Sequence, residues 1–218
     1  MRSTYRLEKL DEIAINIQLA LISLIEGFAL VSLAENTVRL LESGESVLPY
    51  VPYILSGLVI ILVFWSQAIL HAISFIRWPL RMGTMFLYFC AAFVQVIAYS
   101  TMKEMVHWFF WWSVFTLIGL AMYVVDLRVI HAVRPTFHPE YIVAVERRHV
   151  REMKYLVPLA LAFNVAMLAV AFFFSSAFTS PLMYATPAIV QLALSLGALV
   201  DCVRNFQARS EMIARLVS

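Results

Sequence analysis

The residues of this chain that could do chemistry lie inside apolar stretches. The segment "LALISLIEGFALVSLA", Leu19 to Ala34, holds one charged residue, Glu26. A carboxylate in such a run is costly unless it is neutral, paired or wetted, so Glu26 is a functional candidate. Around it, Glu12, Asn16, Ala20, Ser23 and Gly27 recur at spacings of four, four, three and four. At about 100° per residue they share one narrow helix face, with Glu26 about 80° from Asn16 at its margin. A small and polar face of this kind serves either a close helix contact or a wetted wall for ions, and spacing alone leaves both open.

Further along, Gln67, His71 and Ser74 share a face beside "VFWSQ". They could bond across helices, line a conduit or sense pH through His71. Trp65 lies well inside the same run. Asp126, with Arg128 and His131 nearby, is expected to be an interfacial anchor or salt bridge, and Asn164 and Gln191 to make interhelical bonds. "HVREMK" completes no His-Glu-x-x-His site, and neither a Gly-x-Ser-x-Gly elbow nor a phosphate-binding Gly-Lys-Ser run occurs. His131, His138 and His149 share a basic segment with Glu140 and Glu146, but at no compact metal spacing. Cys90 and Cys202 form no disulfide framework. The expectation is a protein without enzymatic activity, metal or cofactor.

The elements that must position these residues follow from composition. The chain has 218 residues, 62% of them hydrophobic and 14% charged. A soluble domain is about 45–50% apolar and about 25% charged, so this balance does not cover a water-facing surface. The apolar blocks match the roughly 20 residues a bilayer-crossing helix needs. The expected fold class is all-α: a polytopic membrane protein of six transmembrane helices in a single domain over 1–218. The spans run from about Ile13 to Ala34, Tyr50 to Ile76, Met82 to Ser100, His107 to Leu127, Tyr155 to Phe178, and Leu182 to Val203. "RWPLR" ends the second, because Pro79 lacks an amide donor. The first run lacks an Ala-x-Ala-like processing site and is expected to be retained as a helix.

Fourteen of the sixteen Lys and Arg residues precede the first span, follow the sixth, or lie in the second and fourth connections. Only Arg39 and Lys103 lie in the others. This asymmetry predicts both termini in the cytoplasm, together with a basic cytoplasmic connection at about 128–154. In that connection "YIVAVERRHVREMKYL" reads as a helix continuing into the membrane. Its "VERRHVREMK" cluster reads as an anchor on anionic lipid, not a nucleic-acid surface. "HWFFWW" is expected at the external interface, with Trp108 to Trp112 as anchors.

"RLEKLDEIAINIQLALISL" resembles the opening of the lysosomal potassium-channel family and its bacterial single-repeat relatives. Their six-helix unit begins with an Arg and a Phe-Ser-Asp signature. Arg6 falls on the family arginine, and Leu10, Asp11 and Glu12 fall on the signature in degenerate form. "YILSGLVIILVFWSQAILHAISF" is similar to the family's second helix with its Trp and following His. "KYLVPLALAFNVAMLAVAFFFSSAFTSPLMYATPAIVQLAL" is similar to its last helical pair. The resemblance implies a homo-oligomer, a tetramer for single-repeat members, whose first helices surround a potassium-permeable path narrowed by large apolar side chains. It also implies that Arg6, Glu12, Trp65 and His71 stabilise the first helix.

The leading expectation is a passive cation channel of potassium type, with Glu12, Asn16, Leu19, Ser23, Glu26 and Leu30 along the ion path. No Gly-rich re-entrant segment supplies a carbonyl filter, so apolar positions would control wetting and acids would concentrate monovalent cations. A proton- or sodium-coupled transporter using Glu26 is the first alternative, and a non-transporting scaffold or sensor the second. The expected partners are the lipid bilayer and further copies of the chain. The expected location is the cell membrane, and the inner membrane if the source is bacterial.

Overall fold

A computed structural model describes residues 2–72, 82–133, 139–178 and 180–217. Within helices, the side chains of Arg6, Glu12 and His71 fall outside the described ones, as do Ser74 and the whole of "RWPLR". Among the described residues the chain is all-helical. Its helices are α1 (Arg2–Glu42), α2 (Val51–Ala72), α3 (Met82–Ser100), α4 (Met105–Val133), α5 (Pro139–Arg151), α6 (Val157–Phe173) and α7 (Pro181–Val217). Five stretches are long and apolar enough to cross a membrane: Leu19–Glu42, Leu48–Gln67, Met105–Ala132, Glu140–Phe173 and Pro181–Met212. Met85–Ser100 is a shorter apolar helix.

Several helices outrun the expected spans. α1 has 41 residues, about 60 Å at 1.5 Å each, whereas the hydrocarbon core is about 30 Å thick. Its last turns are polar yet helical, because Asn36 and Thr37 bond back to the carbonyls of Ser32 and Leu33. The helix stops near Gly44, whose φ of 71° reverses the chain where a residue with a Cβ would be strained. α7 begins at Pro181, with the Ser180 hydroxyl accepting the Met183 amide, and runs on past Val203.

α5 and α6 form one rod joined by a π-helical turn, Glu152–Leu156, so the expected continuation of "YIVAVERRHVREMKYL" into an apolar helix is met. The turn follows from Pro158. An α-helix would press its ring against the carbonyl four residues back and leave that carbonyl without a donor. Widening the helix, so that the Val157 amide reaches Glu152 O, relieves both.

α2 packs on α7, α4 on α6 and α3, and α1 on α2 and α3. Aromatic residues fill one end of the bundle. Trp108 and Trp112 have 0% and 1% exposure and pack edge-on at 5.5 Å, beside Tyr53 and Tyr99. The interfacial anchoring expected of these two tryptophans is therefore corrected: they are core residues. Their spacing of four puts both on the inward side of α4, and the more exposed Phe110 takes the outer position. Gly57 leaves room for the Tyr99 ring of α3 to pack against the backbone of α2. A Cβ there would meet Tyr99 Cε1 at 2.7 Å, and the Tyr99 hydroxyl donates to Gly57 O at 3.2 Å.

The same end joins connections far apart in sequence. Lys103, between α3 and α4, pairs with Glu45, between α1 and α2, at 2.9 Å. Tyr184 of α7 donates its hydroxyl to Met102 O, and its own carbonyl accepts from Tyr53. These contacts gather the α1–α2 and α3–α4 connections and the start of α7 at one end of the bundle.

Candidate functional site

The helix-face arithmetic for α1 divides into two outcomes. Asn16, Ala20, Ser23, Gly27 and Leu30 are exposed on the outside of the protomer and Leu19 is half-buried. From Asn16 to Leu30 the narrow face is therefore left open among the described residues. Glu26 points the other way. It is 4% exposed, lies beside the cluster of Ile22, Ile25, Tyr88 and Ala92, and neither of its oxygens has a hydrogen-bond partner among the described residues. Asn16, Ser23 and Glu26 do not converge on one path within the protomer. Glu26 sat at the margin of the face, and the margin fell on the packed side. Trp65 is 44% exposed on α2, and its expected partners Arg6, Glu12 and His71 have side chains outside the described ones.

The polar groups that do converge surround a cavity of about 230 Å³ between α2, α4, the π turn, α6 and α7, with Tyr88 of α3 on one wall. That is an order of magnitude above the roughly 10–15 Å³ one water requires. Phe64, Phe115, Met122, Phe163 and Leu194 supply apolar wall. One end is amide-rich. The Trp108 indole donates to Gln191 Oε1 at 2.8 Å, Gln191 donates to Asn164 Oδ1 at 3.3 Å, and Asn164 donates to Thr116 Oγ1 at 3.4 Å. The interhelical bonding expected of Asn164 and Gln191 is found here, and it ties α4, α6 and α7 together. The Trp112 indole N–H, on the same wall, has no hydrogen-bond partner among the described residues.

The other end is ionic. Asp126, Glu152 and Asp201 all line it, with Tyr123, Gln67 and Cys202. Tyr123 donates to Glu152 at 2.8 Å, and Gln67 reaches Cys202 Sγ at 3.1 Å, the cross-helix role anticipated for Gln67. Arg148 bonds Glu152 through Nε and lies 3.6 Å from Asp201, while Arg151 bonds both oxygens of Asp201 at 2.8 and 3.1 Å. His149 Nε2 stands 3.8 Å from Asp126. Arg209 of α7 is buried and donates to Leu70 O at 3.4 Å.

This arrangement corrects two expectations. Asp126 is buried and meets His149 of α5, while Arg128 is exposed and His131 pairs with Glu146 at 3.0 Å. Nor is the "VERRHVREMK" cluster wholly a lipid anchor. Arg147 is exposed, but Arg148 turns inward with 7% exposure, because α5 presents one side to α4. Among the described residues no group of His, Cys, Asp and Glu is placed to hold a metal ion.

Asp201 and Tyr123 went unremarked in the sequence, and Arg148 and Glu152 entered it only as members of the basic cluster. Arg148 and Glu152 carry a usable signal, an opposite-charge pair four apart entering an apolar run. Asp201, an acid late in the last apolar run, is a second.

Comparison with protein families, curated proteins and solved structures finds no match. The functional reading therefore rests on the geometry of this chain.

Proposed function

We propose that the protein is a proton- or sodium-coupled carrier of the cell membrane whose solute site is the cavity inside each protomer. One observation carries this reading: three carboxylates line a cavity between helices apolar enough to cross a bilayer. Ionisable groups on membrane helices that face a cavity inside the bundle mark substrate or ion pathways. The π turn at the cavity's ionic end supports it too, since irregular backbone in membrane helices is kept where it lines a cavity. On this reading the chain crosses the membrane six times with both termini cytoplasmic, and the ionic end faces the cytoplasm, in keeping with the skewed distribution of Lys and Arg.

The test is uptake into proteoliposomes of radiolabelled small cations, anions and zwitterions under imposed proton or sodium gradients. One class should accumulate saturably, with accumulation lost when the gradient is dissipated and in Asp126→Asn. Accumulation of none of the three classes, from protein verified as folded, overturns the reading.

A second reading has its own observation. The open face of Asn16, Ser23, Gly27 and Leu30 on α1 is where an oligomeric, potassium-type channel related to the lysosomal family would place its axis. It calls for a potassium conductance that persists without substrate, is altered by Asn16 and Ser23 substitutions, and is indifferent to Asp126→Asn.

A further inference from the structure

The cavity wall is one-sided in charge. Asp126, Glu152 and Asp201 line it, and among the described residues no Lys, Arg or His does. Two arginines pair with these acids and are not part of the lining, and two further basic residues lie nearby. Arg148 and Arg151 come from α5, His149 reaches Asp126 from the same helix, and Arg209 is turned to the Leu70 carbonyl. The lining therefore carries carboxyl and phenol oxygens, with Arg148 beside Glu152 and Cys202.

The rest of the wall is aromatic and aliphatic. Phe64, Tyr88, Trp112, Phe115 and Phe163 contribute to one continuous surface, and the unpartnered Trp112 N–H marks its far end. Trp112 and Asp126 are fourteen residues apart on α4, about 21 Å at 1.5 Å per residue. The space is therefore elongated, with a charged end and an apolar, aromatic body. Aromatic faces attract cations, and that attraction strengthens where water is excluded. An anionic ligand would meet carboxyl oxygens at the wall, with the arginines that offset Glu152 and Asp201 set off the lining.

We infer that the cavity takes an amphipathic organic cation, its apolar or aromatic body between Phe64, Tyr88, Phe115 and Phe163 and its positive charge among Asp126, Glu152 and Asp201. The inference deepens the carrier reading and rests on it for biological meaning, but binding can be measured without transport.

The experiment uses the full chain in nanodiscs and three probes of matched size: naphthylmethyl-trimethylammonium, its neutral tert-butyl isostere, and naphthalene sulfonate. Binding is followed by calorimetry and by the fluorescence of Trp112, with Trp112→Phe to assign the optical signal. The ammonium probe should bind at least about tenfold tighter than the neutral isostere, and the sulfonate more weakly than either. Asp126→Asn should weaken the ammonium about tenfold and leave the neutral isostere unchanged. Equal binding of the charged and neutral probes by the unsubstituted protein marks a site for lipid tails and overturns the inference. Preferred binding of the sulfonate overturns it as well. Ammonium binding with no uptake in proteoliposomes would remove the carrier reading and leave this site standing, whereas accumulation of an anion would do the reverse.

Discussion

Arg148 stands between two carboxylates on different helices: its Nε donates to Glu152, and its Nη2 lies 3.6 Å from Asp201. Arg148 and Glu152 are both buried, so the charges hold one another in place in a low-dielectric interior. Removing one partner of such a set costs about 3–5 kcal/mol, because it strands the other, whereas replacing the pair with apolar residues costs little. Arg148→Met should lower the thermal unfolding midpoint in detergent sharply, and Arg148→Met with Glu152→Leu should recover most of the loss. An unchanged midpoint in the single variant would mean that the cluster is not dry.

The chain from Trp108 through Gln191 to Asn164 makes a second prediction. Gln191→Leu leaves the Trp108 N–H and the Asn164 side-chain oxygen without the partners they now have. A buried group left unsatisfied costs about 1–3 kcal/mol. Trp108→Phe should cost less in the Gln191→Leu background than alone, a coupling of about 0.5–3 kcal/mol. Strictly additive losses in a double-mutant cycle of denaturant unfolding would show that the two residues do not meet.

Gly57 and Gly197 offer a matched comparison. A Cβ at Gly57 meets Tyr99 Cε1 at 2.7 Å, whereas one at Gly197 meets nothing within 4 Å. Gly57→Ala should destabilise by about 1–3 kcal/mol through overpacking. Gly197→Ala should stabilise by about 0.5–1 kcal/mol through the unfolded chain and the helix it favours. The two melting temperatures, moving in opposite directions, check the α2–α3 contact. Equal shifts would contradict it.

What could be read in advance depended on whether one helix decided the matter. The faces of α1 follow from 100° per residue, and Asn16 and Ser23 do share the open side. Glu26 lay at the edge of that face, where a tilt of one packing partner decides between inside and outside. Trp108 and Trp112 fit a headgroup belt as well as a core until Tyr53 and Tyr99 were placed beside them. The cavity was not legible. Asp126 meets a histidine twenty-three residues later, and Arg151 meets Asp201 fifty residues on. Pro158 was visible, but its consequence, a widened turn that sets Glu152 relative to Asp201, depends on how the rod packs.

Glu26 has an expected outcome of its own. Both oxygens lie in an apolar contact between α1 and α3 with no hydrogen bond among the described residues. Burying an unpartnered polar group costs several kcal/mol, so Glu26→Leu should raise the thermal midpoint. A marked fall would show that the assembled protein supplies Glu26 with a partner, and would strengthen the reading that gives α1 the ion path.

The central claim is that solutes enter a cavity whose wall is negative, and Cys202, on that wall, reports on it directly. With Cys90 replaced by Ala, the rate at which Cys202 reacts with cationic and anionic methanethiosulfonates of similar size can be compared, each normalised to its rate with free cysteine. A site lined by one sign of charge concentrates the opposite ion by about tenfold or more, so the cationic reagent should react at least that much faster. Asp201→Asn should narrow the difference. Equal normalised rates, or a faster anionic reagent, would contradict the account.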